Sequence, residues 1–97
     1  MNRIALVARL KPGAEEHAAE LLEQGPPFDP GERGFDRHAV YLSAGEVVFV
    51  FEGDEVEWIV DEIVNESFGA VAQALGMWRE LAEGPPRIAR SVYAWER

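Results

Sequence analysis

Cysteine is absent from the 97 residues, so neither disulfides nor thiolate metal sites are available, and the redox compartment is left open. Long hydrophobic runs are missing too. The opening MNRIALVARLKPG carries an apolar stretch about one strand long, stopped by Lys11-Pro12-Gly13; that is too short for a signal-peptide core or a membrane span. The expectation is a cytoplasmic protein. Basic residues are scarce, 9 Lys and Arg against 18 Asp and Glu, for a formal net charge of -9, and they form no cluster. Such a surface repels phosphate backbones and anionic lipid, so neither nucleic acid nor membrane is an expected partner. No Gly-rich phosphate loop opens a helix and no Gly-x-Ser-x-Gly elbow occurs, which leaves nucleotide binding and serine hydrolysis unsupported. With no Pro/Ser-rich linker and no break in composition, residues 1–97 read as a single domain.

What is present alternates between strand and helix signals. Ile4 to Leu10 reads as a strand bounded by the Pro-Gly turn. From Ala14 to Gln24, Ala14, Ala18, Leu21 and Leu22 follow helical spacing, and Gly25-Pro26-Pro27 stops the run. The loop GPPFDPGERGF leads to GFDRHAVYLSAGEVVFVFEG, a hairpin joined through Ala44-Gly45. Asp54 then stands as an N-cap, with Glu57 completing a capping box, ahead of a helical face made by Val56, Ile59, Val60 and Ile63. After a break at Asn65 to Ser67, a second stripe of Phe68, Val71, Ala72, Leu75, Trp78 and Ala82 runs to Gly84-Pro85-Pro86. A last strand spans Ile88 to Trp95.

An internal echo supports this order, since LLEQGPP closes the first helix and LAEGPP the last. The chain is therefore expected to be α+β, a ferredoxin-like β-α-β-β-α-β antiparallel sheet with helices on one face. Ile4 to Ala8 and Val47 to Phe51 are apolar on both alternating faces, yet helices cover only one. The other face would expose a patch of hundreds of Å², and covering it with a second copy is worth on the order of 10 kcal/mol at roughly 25 cal/mol per Å², before entropy losses. A homodimer through the open sheet face is the expected partner arrangement.

The opening VARLKPGAEEHAAELL, a strand, a Lys-Pro-Gly turn and an acidic Ala/Leu-rich helix, resembles the dimeric α+β barrel superfamily, and the likeness spans nearly the whole chain. That superfamily holds antibiotic-biosynthesis-type monooxygenases, polyketide cyclases, lactone isomerases and haem-degrading enzymes, so the resemblance implies a fold and a range of chemistries. Its haem-degrading branch combines an early asparagine with a tryptophan and a histidine on the helices. Here the last helix has Trp78 without a histidine and the first strand lacks a central asparagine, which disfavours haem.

His38 shares its strand face with Val40 and Leu42. A two-residue turn sets it opposite Phe51, whereas a bulged turn sets it opposite Val50. Either neighbour is apolar and favours a neutral imidazole able to accept a proton; the plainer reading is a half-solvated strand-end histidine. Arg37 points to the other face with Tyr41 and Ser43. With a two-residue turn it meets Glu52 in a cross-strand ion pair, and the alternative is a pocket that binds a carboxylate or an enolate oxygen. Arg9, with Arg3, shares a face with Ala5 and Val7, suiting either a cavity mouth or plain strand-end charge. Trp78 lies on an apolar helical stripe, the usual place of a core aromatic. Trp58 lies off its stripe and is a candidate dimer or pocket contact. His17 has no second ligand at metal spacing, so no metal and no other cofactor is expected.

These features support a small cofactor-independent enzyme of monooxygenase, cyclase or isomerase type acting on an apolar or aromatic molecule. His38 and Tyr41 are its candidate catalytic residues, and Arg9, Arg37, Trp58 and Trp78 its candidate ligand contacts. The competing readings are a non-catalytic dimeric module that binds a small apolar ligand, and a purely structural interaction domain.

Overall fold

A computed structural model describes residues 2–66 and 69–97. Strand β1 (Asn2–Arg9) runs through the Lys-Pro-Gly turn into helix α1 (Glu15–Glu23). A one-turn helix α2 (Pro30–Arg33) precedes the hairpin of β2 (Arg37–Leu42) and β3 (Glu46–Gly53). Helices α3 (Val56–Val64) and α4 (Gly69–Leu81) follow, and β4 (Arg87–Arg90) completes a four-stranded antiparallel sheet of order β2-β3-β1-β4. This is the expected ferredoxin-like arrangement, with the second helical segment split in two.

Alternation along the strands sorts the sheet into two unlike faces. Ile4, Leu6, Ala8 and Leu10 of the first strand region, with Val47 and Phe51 of β3, are buried. They pack against Val56, Ile59, Val60 and Ile63 of α3, Val71 and Leu81 of α4, and Ala18 of α1. All three long helices therefore cover the same face. The face they leave bare carries half-buried Ala5, Val7, Ala39, Val48 and Val50, with Tyr41 63% exposed.

The hairpin takes the two-residue turn, which pairs His38 with Phe51 and Arg37 with Glu52. Ser43 secures it, its backbone N–H donating to the Glu46 carbonyl at 2.8 Å and its Oγ accepting from the Glu46 N–H at 3.2 Å. Glu52 is the buried charge of the molecule's described part, 3% exposed. In register with Arg3 on one side and Arg37 on the other, it accepts from Arg3 Nε at 2.7 Å and lies 3.5 Å from Arg37 Nε. Neighbouring cationic strands thus compensate the desolvated carboxylate.

Three local expectations are corrected. The segment DPGER is helical: Asp29 caps it, its carboxylate accepting from the Gly31 and Glu32 N–H groups, Pro30 occupies the first turn, and Gly34 ends it at φ 102°. Second, α3 starts at Val56 with Glu55 in the flanking position and no side-chain cap. Asp54 sits one residue too early to cap it, and instead its carbonyl accepts from Asn2 Nδ2 at 2.9 Å. Third, the last strand ends at Arg90, well short of Trp95. Arg90 pairs with Ile4, and only Arg3 and Asn2 remain of β1 beyond it, so the chain runs out of partner strand. Ser67 and Phe68, expected in the break and on the second helical stripe, lie outside the described residues; α3 closes at Val64, where Asn65 Nδ2 donates to the Asp61 carbonyl at 2.8 Å.

Candidate functional site

Between the covered face of the sheet and the helices lies a cavity of about 610 Å³, within the range of small-molecule sites. Its floor is sheet: Leu6 and Ala8 of β1, Phe49 and Phe51 of β3. Ile63 and Val64 of α3 and Val71, Ala74, Leu75 and Trp78 of α4 form the opposite wall. Pro27 with Phe28, and Gly84 with Pro85 and Pro86, complete the lining. The two Gly-Pro-Pro helix stops that echo each other in the sequence therefore border one cavity.

The end of α4 is tied to the end of β1. The Lys11 N–H donates to the Leu81 carbonyl at 2.8 Å, the Glu83 N–H donates to the Arg9 carbonyl at 2.8 Å, and Leu10 bridges to Ala82. Inside this frame Trp78 stands edge-on to Phe49, ring centroids 5.4 Å apart. Half-buried Leu75 and Trp78 thus pack against the core and also wall the cavity. A second depression, lined by Asn2 and Asp54 to Trp58, is open to the surface at the start of α3.

His38 is half-buried on the helix side of β2. Its ring stacks on Phe51 at 4.5 Å and an 18° interplanar angle, with Phe28 on another side at 6.1 Å. Nδ1 lies 2.9 Å from the Val50 carbonyl oxygen. A carbonyl only accepts, so Nδ1 carries a proton, and in the neutral ring Nε2 then holds the lone pair. Phe28 and Phe51 both line the cavity while His38 does not, which places the imidazole one aromatic ring back from it. Arg33 stands over Phe28, 5.7 Å from the ring centroid, and is ion-paired with Glu66; that hydrogen bond holds the Arg33 guanidinium above its ordinary pKa.

The remaining sequence candidates are dispersed. Tyr41 and Arg37 lie on the bare face of the sheet, across β2 from His38, so Tyr41 and His38 do not converge within one chain. Arg9 is exposed at the end of β1. Trp58, 64% exposed, borders the shallow depression on α3, and His17 is exposed on α1. Of the expected ligand contacts, Trp78 alone borders the cavity. Sequence reasoning missed Phe28, Phe49, Phe51 and Arg79 as lining residues. Among the described residues, no group of three or more His, Cys, Asp or Glu side chains is placed to hold a metal ion.

The whole chain superimposes on the structure of tetracenomycin F2 cyclase from Streptomyces glaucescens, a type-II polyketide cyclase, with a TM-score of 0.65 over 100% of this chain and 99% of that one. The two chains share one fold. At 18% identity the likeness is one of architecture, and it agrees with the resemblance to the dimeric α+β barrel superfamily. No family model matches the sequence, and no curated protein matches it. Within this fold, the partly open cavity framed by β1, β3, α3 and α4 is the apolar space to which a function can be attached.

Proposed function

We propose that the protein binds a small, mostly apolar aromatic molecule in the cavity between sheet and helices and acts on it as a cofactor-independent, cyclase-type enzyme. The observation that carries this reading is the cavity itself, about 610 Å³ and walled almost entirely by apolar and aromatic side chains. A flexible apolar chain held there is confined in a folded conformation and kept from water, two effects that favour ring closure before any acid or base acts. The full-length likeness to a polyketide cyclase supports the same direction. His38 is the proposed proton acceptor through Nε2 and a bridging water, since its ring packs against Phe28 and Phe51 without itself lining the cavity. Trp78 is a wall of the site, whereas Arg9, Arg37, Tyr41 and Trp58 have no role at this cavity.

A second copy covers the bare sheet face in this proposal. Tyr41 protrudes from that face, and beyond β4 the apolar side chains of Val92, Tyr93 and Trp95 are 86%, 79% and 69% exposed.

A non-catalytic binding module is favoured by one specific observation: among the described residues, no carboxylate, hydroxyl or imidazole lines the cavity. Titration with 1,8-dihydroxyanthraquinone, read by quenching of tryptophan fluorescence, tests occupancy. The native protein should bind it, and Ala74→Phe, which fills the cavity, should not; equal binding by both would place the molecule elsewhere. Turnover of a linear aromatic polyketide precursor then separates enzyme from carrier, and a rate unaltered in His38→Ala removes the imidazole from the mechanism.

A further inference from the structure

Among the described residues, the lining of the cavity carries a charge at one position. Arg79, in the last turn of α4 next to Trp78, is its charged residue, and among the described residues it makes no ion pair and no side-chain hydrogen bond. An arginine at a helix C-terminus is favoured by the helix dipole wherever it points. That accounts for a cation at this end of α4, though not for its standing on the wall of an apolar cavity. Arg3 and Arg37 engage Glu52 and Arg33 engages Glu66, whereas Arg9, Arg87 and Arg90 are exposed like Arg79; what sets Arg79 apart from these is its place on the cavity lining.

We propose that Arg79 anchors an anionic group of the ligand, so that the site selects a planar aromatic acid or an aromatic enolate over the neutral molecule of the same shape. This rests on the cavity reading above and adds the chemical class of the ligand to it. The guanidinium is planar, stays charged, and offers paired N–H donors that match a carboxylate. Its neighbours Trp78 and Leu75 receive the apolar body, so the two parts of the ligand are recognised by consecutive turns of one helix. The long-range field of a chain with net charge -9 opposes anions, which makes a single well-placed cation the decisive contact for such a ligand.

The test compares 2-naphthoate with 2-naphthalenemethanol, which share a ring system and differ in charge, by isothermal titration on the native protein, Arg79→Gln and Ala74→Phe. The native protein should bind the acid roughly tenfold more tightly than the alcohol. In Arg79→Gln that preference should fall to about twofold or less while alcohol binding is retained, and Ala74→Phe should lose both. Alcohol and acid binding equally to the native protein, or a preference that survives Arg79→Gln, overturns the anchor and leaves the cavity reading standing. If neither probe binds the native protein, the cavity reading fails and the anchor falls with it.

Discussion

Gly53 is the glycine at which an added Cβ would meet backbone most closely. A Cβ there would lie 3.0 Å from the Gly34 carbonyl oxygen and 3.5 Å from Phe35 Cα, and backbone atoms cannot rotate aside as a side chain would. This close approach is what lets the segment before β2 lie against the end of β3, where the Asp36 N–H donates to the Glu52 carbonyl at 2.7 Å. Gly53→Ala should therefore cost about 1–3 kcal/mol of stability, read as a lower urea midpoint at unchanged slope. His38 yields a prediction that owes nothing to any substrate. Its bond to the Val50 carbonyl requires the Nδ1–H tautomer, so nitrogen-15 shifts of the neutral ring should report a protonated Nδ1, and an Nε2–H signature would show that the bond is not made. The sequence placed His38 on an apolar strand face correctly. What it could not show was the ring stacking, because Phe28 arrives from a loop ten residues upstream.

At the scale of elements, α3 is the plainest case of periodicity becoming structure. Val56, Ile59, Val60 and Ile63 recur at helical spacing and all are buried, while Trp58 points away. Val60→Ala should destabilise by about 2 kcal/mol, whereas Trp58→Ala should stay within about 0.5 kcal/mol; chemical denaturation of the two variants checks the contrast, and equal losses would mean that Trp58 is packed. The same logic reads α4 less well. Val71 and Leu75 belong to one stripe and both border the cavity, yet Val71 is buried and Leu75 only half-buried, because periodicity identifies the inward side of a helix and says nothing of how far the helix stands from the sheet. The hairpin register was likewise open from sequence, Ala44-Gly45 lacking the Asn-Gly or Asp-Gly pair that fixes a turn type; cross-strand partners such as Arg37 and Glu52 accompany the register that formed. The single turn of α2 escaped notice because four residues are too few to show a period, although Asp29, Pro30 and Gly34 are its capping residues.

For the whole molecule, strand and helix order was legible because each element carries its own pattern and its own stop. The early end of β4 was not, since SVYAWER has strand-like composition, and β1 offers only Arg3 and Asn2 beyond the last pair. That leaves apolar groups in the tail and on the bare sheet face for a second copy to cover. Sedimentation velocity at low micromolar concentration should give the mass of two chains, and Tyr41→Arg should shift it toward one; a single-chain mass for the unaltered protein would rule the pairing out. Along β1 and β3, Leu6, Ala8, Phe49 and Phe51 look into the cavity, and Ala5, Val7, Val48 and Val50 look the other way. Guest and sister subunit would then approach one peptide layer from opposite directions without sharing a side chain. Occupancy should accordingly follow a simple hyperbola, one guest per polypeptide, with each half of the assembly indifferent to whether the other is filled.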